Sequence, residues 1–232
     1  MADAQAKTRR QRVEAKEQAI IAAARTIFRK SGFEKTKIAD IAKRAGVAEG
    51  SVYTYFENKN ALLFAVAVEF YDRLTRDAAD GTKKLSSTND RLEFLAGLHL
   101  ARVSDEWPLL ALAMTPDKTS EEYRKTKGYQ LNRTYVEVFD QVIRDGINRK
   151  DIRDDIPLSV IRDIFYGGLE YSARTRRLRP KATDMEMVIT SFMKVLAAGI
   201  YPVASAAPKK NDMARMMTRL ENATAKLEAI TG

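Results

Sequence analysis

Gly46 interrupts an amphipathic pattern after only two helical turns, and that interruption restricts the fold more than any other feature of the sequence. Ile38, Ile41, Ala42 and Ala45 fall at spacings of 0, 3, 4 and 7, which places them on one helix face. Gly46 breaks the pattern, Val47 supplies an apolar plug, and a second short helix is expected from Glu49 to Phe56, burying Val52 and Phe56. Two short helices joined at a glycine turn make a helix-turn-helix, in which the second helix is free to enter a groove of duplex DNA. Small residues (Ala42, Ala45, Gly46) suit a close crossing of the two helices. Gly50 and Ser51 leave space at the start of the second. Tyr53, Thr54 and Tyr55 offer hydroxyls that a purely structural helix has little reason to carry.

The flanking segments are helical by the same criterion. Residues 1–12 are polar and basic (Lys7, Arg9, Arg10, Arg12) and read as a flexible arm. From Val13 a helix is expected, with Ile20, Ala23, Ala24, Ile27 and Phe28 on one face, ending at Ser31-Gly32. Thr36 is placed to cap the next helix, and Asn58 to cap a longer one carrying Leu62, Leu63, Val66 and Phe70. Beyond residue 80 the punctuation is Gly81, Ser86-Ser87, Pro108, Pro116, Pro157, Pro180 and Pro202. It predicts helices near 90–105, 107–114, 119–149, 157–178, 184–201 and 211–230. The fold class is therefore all-α. The expected divisions are a basic arm (1–12), a three-helix DNA-binding domain (13–60), a larger helical domain (61–202), and a linker with a C-terminal amphipathic helix (203–232).

Composition narrows the chemistry. The chain has no cysteine and a single histidine, His99, so no metal cluster, disulfide or thiolate nucleophile is expected, and an enzyme is disfavoured. Met1 to Lys7 lack the apolar core of a signal peptide, and no apolar run reaches membrane-spanning length; a cytoplasmic protein without a membrane partner or cofactor is expected. Residues 1–60 hold 13 Lys or Arg against 7 Asp or Glu, whereas the remaining 172 hold 27 against 24. Most of the net charge of +9 thus sits in the first quarter, an asymmetry that suits a polyanion. A solubilising basic face explains the charge alone equally well.

The stretch from Ile20 to Leu63 resembles the N-terminal domain of the TetR/AcrR family of transcriptional regulators. The resemblance is carried by Phe28, Gly32-Phe33, Thr36-Lys37, Ala45-Gly46-Val47, Gly50-Ser51-Val52-Tyr53, Tyr55-Phe56 and Lys59, in that order and spacing. It implies that Thr36 and Lys37 meet phosphates, that Gly50, Ser51, Tyr53 and Thr54 face the major groove, and that Tyr55 and Lys59 grip the backbone. Two positions depart from the pattern. Ala48 replaces a capping serine, and Glu49 replaces a cation. Glu49 is read as a solvated carboxylate at a helix start or as an acceptor for cytosine N4. The basic arm could add a minor-groove contact.

For the larger domain the resemblance implies a homodimer formed by the C-terminal helices, a pocket for a small effector, and a pseudo-palindromic DNA operator. Ile161, Ile164, Phe165, Leu169 and Tyr171, with Gly167-Gly168, suit a packed helix. Met187, Ile189, Phe192, Val195, Leu196 and Ile200 exceed what one monomer face would bury. Candidate pocket residues are Trp107, Met114, Tyr123, Tyr129, Tyr135, Phe139, Phe165 and Tyr166. The run Ile161 to Tyr171 is similar to the fatty-acid-responsive, FadR-like branch, which implies an apolar effector such as an acyl-CoA. Arg174, Arg176, Arg177 and Arg179 are then candidates for the coenzyme phosphates. The function expected is a repressor released by such an effector. A drug- or metabolite-responsive regulator and a sequence-nonspecific architectural binder are the alternatives.

Overall fold

The structure is a computed structural model that describes the backbone of residues 2–114, 123–178 and 184–202, and the side chains of residues 9–102, 124–178 and 184–202. Over these residues the chain forms α1 (Ala2–Ser31), α2 (Ile38–Ala45), α3 (Glu49–Tyr55), α4 (Lys59–Lys83), α5 (Thr88–Met114), α6 (Lys127–Asn148), α7 (Leu158–Leu178) and α8 (Met185–Ile200). A single 3-10 turn, Tyr123–Lys125, precedes α6, and the described residues contain no strand. The all-α expectation holds. The expected segment 203–210 and helix 211–230 lie outside the described residues.

Four boundaries differ from the sequence reading, each for a physical reason. Residues 2–12 continue α1 and do not form a separate arm. They lack an apolar face, but Ala, Gln, Lys and Arg are strong helix formers uninterrupted by Gly or Pro. Gly81 does not end α4, because the Phe94 ring of α5 lies against it; a Cβ there would come within 2.0 Å of that ring. Helix α5 runs unbroken through Pro108, although proline removes one backbone hydrogen bond. The helix expected from 119 begins instead at Lys127, where the Thr126 side chain accepts from the Tyr129 amide at 3.1 Å.

Two hydrophobic cores result, and one helix belongs to both. The first joins Ile20, Ala24 and Phe28 of α1, Ile41 and Ala42 of α2, Val52 and Phe56 at α3, and Leu62, Leu63 and Val66 of α4. The second begins at the very next residue, with Ala67, Phe70, Tyr71, Leu74 and Ala78 of α4. It continues through Leu92, Leu95 and Leu100, then Phe139 and Ile143, then Phe165 and Leu169, and finally Met193 and Leu196. The division expected at 60/61 therefore falls inside a continuous helix. Helix α5 is the central strut of the body, touching α4, α6, α7 and α8.

Candidate nucleic-acid interface and effector cavity

The α2–α3 unit is built as its sequence requires. Gly46 adopts φ +70°, the left-handed conformation that glycine accepts without strain, and its amide bonds back to the Lys43 carbonyl. Val47 then donates to the Ala42 carbonyl at 3.1 Å and turns the chain into α3. Val52 is buried against the first core, which leaves the opposite face of α3 in solvent. On that face lie Glu49, Gly50, Tyr53 (52% exposed) and Thr54, with Ser51 and Tyr55 half-buried at its margins. A Cβ at Gly50 would meet nothing within 4 Å, so the protein's own packing does not demand glycine there. Ala48 and Lys37, which precede α3 and α2, supply no side-chain cap, so both helix starts keep unmet N–H groups.

Two of the residues expected to contact DNA are engaged within the protein. Thr36 is buried, and its hydroxyl donates to the Gly32 carbonyl at 2.7 Å, so it does not cap α2. Lys59 opens α4, where a positive charge opposes the helix dipole. Its Nζ donates to the carbonyls of Phe33 (2.9 Å), Glu34 (3.2 Å) and Thr36 (3.4 Å), and lies 4.5 Å from the centre of the Phe33 ring. All three ammonium protons are thereby used to clamp the α1–α2 loop. Lys59→Met should cost about 1–3 kcal/mol in urea unfolding, because three carbonyls lose a charged donor together. Lys37, in contrast, is exposed.

A second site lies in the body. A cavity of about 250 Å³ is bounded by Tyr71 and Leu74 of α4, His99 of α5, Tyr129, Asn132, Arg133 and Tyr135 of α6, and Arg162, Asp163, Tyr166 and Glu170 of α7. Of the expected pocket residues it gathers Tyr129, Tyr135 and Tyr166. Phe139 and Phe165 are instead fully buried core, their rings 4.5 Å apart. The side chains of Trp107, Met114 and Tyr123 lie outside the described residues. Arg174 is exposed and Arg176 half-buried at the end of α7; Arg179 also lies outside.

Three groups at or beside this cavity were given no role there by the sequence reading: His99, Asp140 and Arg162. Their signal was a polar residue on an apolar helix face. His99 continues the series Leu92, Leu95, Ala96, and Asp140 stands between Val136 and Ile143. The Asp140 side chain is 3% exposed and is held by Arg162 at 2.6 Å, with Arg133 at 3.6 Å. Burial raises its carboxyl pKa against the lowering influence of those two arginines. His99 Nδ1 lies 3.2 Å from the Tyr135 hydroxyl. Burial lowers the imidazole to about 4 and pushes the Tyr135 and Tyr166 phenols upward.

His99 therefore stays neutral in the fold, whereas an unfolded chain protonates it below about pH 6.5. Stability associated with it is complete above that pH and is lost as pH falls toward 4, by about 3 kcal/mol in total. Urea unfolding at pH 7 and pH 5 should show a steeper loss in the native protein than in His99→Gln. No other histidine confuses that window.

Among the described residues no group of His, Cys, Asp or Glu is arranged to hold a metal, and no helix is long and apolar enough to cross a membrane.

Comparison with known proteins agrees with both halves. Residues 20–66 match the pattern of bacterial regulatory proteins of the tetR family, and residues 69–199 match the C-terminal region of the YsiA-like proteins. The chain is 22% identical over 182 residues to the fatty acid metabolism regulator protein of Bacillus subtilis, covering 78% of this chain and 94% of that one. It is 26% identical over 148 residues to the transcriptional repressor KstR2 of Mycolicibacterium smegmatis, covering 60% and 71%. The fold matches the crystal structure of the transcriptional regulator FadR from Bacillus subtilis in complex with stearoyl-CoA, with TM-score 0.66, 22% identity, and 79% and 99% of the two chains covered. It also matches the fatty acid degradation regulator FadR from Bacillus halodurans, with TM-score 0.65, 20% identity, and 79% and 95% covered. With a helix-turn-helix that presents α3 to solvent and a matched helical body behind it, the chain belongs to the TetR family of bacterial regulatory proteins and is a DNA-binding transcriptional regulator.

Proposed function

We propose that the protein is a repressor that binds a pseudo-palindromic operator as a homodimer and is released by a long-chain acyl-CoA. The observation that carries this reading is the double membership of α4. Leu62, Leu63 and Val66 lock it to the DNA-binding core, and Tyr71 and Leu74, about one turn further on, form a wall of the cavity. Any ligand that displaces Tyr71 acts on the helix that carries α2 and α3. Arg25 of α1 adds a second link, 3.7 Å from Glu69 of α4.

On this reading the exposed face of α3 (Glu49, Gly50, Ser51, Tyr53, Thr54) enters the major groove. Tyr55, Lys37 and the uncapped starts of α2 and α3 take phosphates. Thr36 and Lys59 shape the loop behind them. The dimer is assigned to α7 and α8. Val160, Ile164, Tyr171 and Leu178 fall within a narrow stripe of α7 and are exposed, Tyr171 and Leu178 by 71% and 76%. Gly167 lies in the same stripe with open space above it, whereas Gly168 faces inward onto Phe192. Met187 and Val195 of α8 are exposed as well. A two-fold pairing of these helices buries the apolar surface and sets two α3 helices on successive grooves.

The effector class is drawn from the likeness to the Bacillus subtilis regulators. To release DNA, the acyl-CoA must bind the non-DNA-binding arrangement more tightly than the other. Fluorescence anisotropy of a duplex from the gene's own upstream region tests this. Acyl-CoAs of increasing length are titrated into the protein–DNA complex. Release that strengthens with chain length is the expected result; failure of every acyl-CoA to release DNA would remove this effector class and leave another metabolite or a drug.

A further inference from the structure

One sequence motif serves neither the DNA-binding unit nor the effector cavity. In residues 211–230, Met213, Met216, Leu220, Ala223, Leu227 and Ile230 recur at spacings of 0, 3, 7, 10, 14 and 17, an apolar stripe along one helix face. The stripe lies past residue 199, where the match to the C-terminal region of the YsiA-like proteins ends. A solitary helix of this length is marginal in water, so an amphipathic one draws its stability from a surface that covers its apolar face.

Such a surface lies where the chain leaves the body. At the end of α8 the Ile200 carbonyl accepts from the Arg153 amide at 2.9 Å, and the Tyr201 hydroxyl donates to Asn89 Oδ1 at 3.2 Å. Two residues on from Asn89, Arg91 stands 3.5 Å from Asp145 at one end of an open groove of about 500 Å³ between α4 and α6. Its more buried lining is small: Ala79 and Thr82 of α4, Val138 and Val142 of α6. The threonine hydroxyls are already engaged. Thr82 donates to the Ala78 and Ala79 carbonyls at 2.8 and 3.1 Å, and Thr134 to the Gln130 carbonyl at 3.0 Å. No buried polar side-chain atom of the lining lacks a partner. Small side chains admit a helix closely, and satisfied polar groups ask nothing of it, so the groove suits an apolar helix face better than a polar ligand.

We infer that residues 211–230 seat their apolar stripe in the α4–α6 groove of their own chain. The lengths agree. From Thr134 to Asp145 the groove follows α6 for about 16 Å, and Met216 to Leu227 covers the same rise. Residues 203–212 supply a tether of at most about 35 Å, ample for a groove that opens beside the exit. A segment entering from the Arg91 end runs antiparallel to α6 and brings Leu220 opposite Val138 and Gln141. The α4 side of the groove begins about two turns beyond Tyr71, so the seated segment bears on the helix that both cores share.

Disulfide trapping in the full-length protein tests this without interference, because the chain has no cysteine of its own. Under mild oxidation, Gln141→Cys combined with Leu220→Cys should close an intrachain disulfide about tenfold faster than Gln141→Cys combined with Thr218→Cys. The two pairs have nearly the same tether, but Thr218 lies on the far side of the helix from the stripe, so only a seated helix separates them. Gln141 is exposed, and its replacement leaves the fold intact. Val138→Cys in place of Gln141→Cys should give the same order of rates. Adding Leu227→Asp to the faster pair should remove its advantage, since a charge in the stripe opposes burial. Equal rates for the Leu220 and Thr218 pairs would overturn the proposal. Disulfides that form only between subunits would overturn it too, by assigning the groove to the partner's segment.

Discussion

Arg162→Met should lower the unfolding free energy by about 3–5 kcal/mol, a loss large enough to threaten the folded state of a domain. Asp140 is the reason. Its side chain is almost completely buried, and Arg162 Nη1 at 2.6 Å is its only short contact among the described residues. Arg133, at 3.6 Å, shares itself with Glu137 and cannot take over in full. Removing Arg162 leaves a carboxylate to protonate or to draw water inward, and either course is expensive in a packed interior. The cost belongs to the orphaned charge and not to a favourable pair, which makes the rescue informative. Asp140→Leu combined with Arg162→Met should recover most of the stability, because a pair of apolar residues has nothing left to neutralise. Urea unfolding of the two single variants and the double variant measures this directly. A cost below about 1 kcal/mol for Arg162→Met would mean that Asp140 is not held as the geometry indicates.

If the proposed dimer forms through α7, Ile164→Asp combined with Tyr171→Asp should convert it into a monomer and weaken operator binding by about 100-fold or more. Both side chains stand in solvent on the outer stripe of α7, 56% and 71% exposed, and neither belongs to the monomer's core. The substitutions therefore leave the fold intact while placing two charges on each side of the proposed two-fold contact, where every charge would face a like one. Linked reading heads gain affinity because the second binds from an already tethered position, and dissociation removes that gain without touching α3. Sedimentation of the variant should give one subunit's mass, and its circular dichroism should match the native protein. A variant that stays dimeric would move the interface elsewhere.

The DNA-binding half was legible in the sequence because its determinants are local. The apolar spacing of α1 and α2, the left-handed Gly46, and the Asn58 cap whose side chain accepts from Ala61 are all encoded within a few residues. Contacts across longer separations were not legible. Lys59 looked like a phosphate ligand, yet its partners are carbonyls 23 to 26 residues away, which no local pattern displays. Thr36 looked like a cap, but a hydroxyl four residues after a carbonyl had the alternative of bonding backward, and burial favours that choice. In the body, periodicity found the aromatic residues without separating Phe139 and Phe165, which are core, from Tyr135 and Tyr166, which border the cavity. Only three-dimensional packing makes that distinction. The lone histidine counted first as an argument against catalysis. Its position on an apolar helix face was the overlooked signal.

Capture of genomic fragments by the full-length protein, followed by competition at physiological salt between a recovered fragment and random duplex, tests the central claim most directly. A regulator that reads sequence through the exposed face of α3 should prefer its recovered site by about 10³-fold or more. Tyr53→Ala should erode that preference while leaving nonspecific binding, which rests on charge, almost unchanged. Equal affinity for recovered and random DNA, with no common sequence among the captured fragments, would contradict the account and make the protein a nonspecific binder.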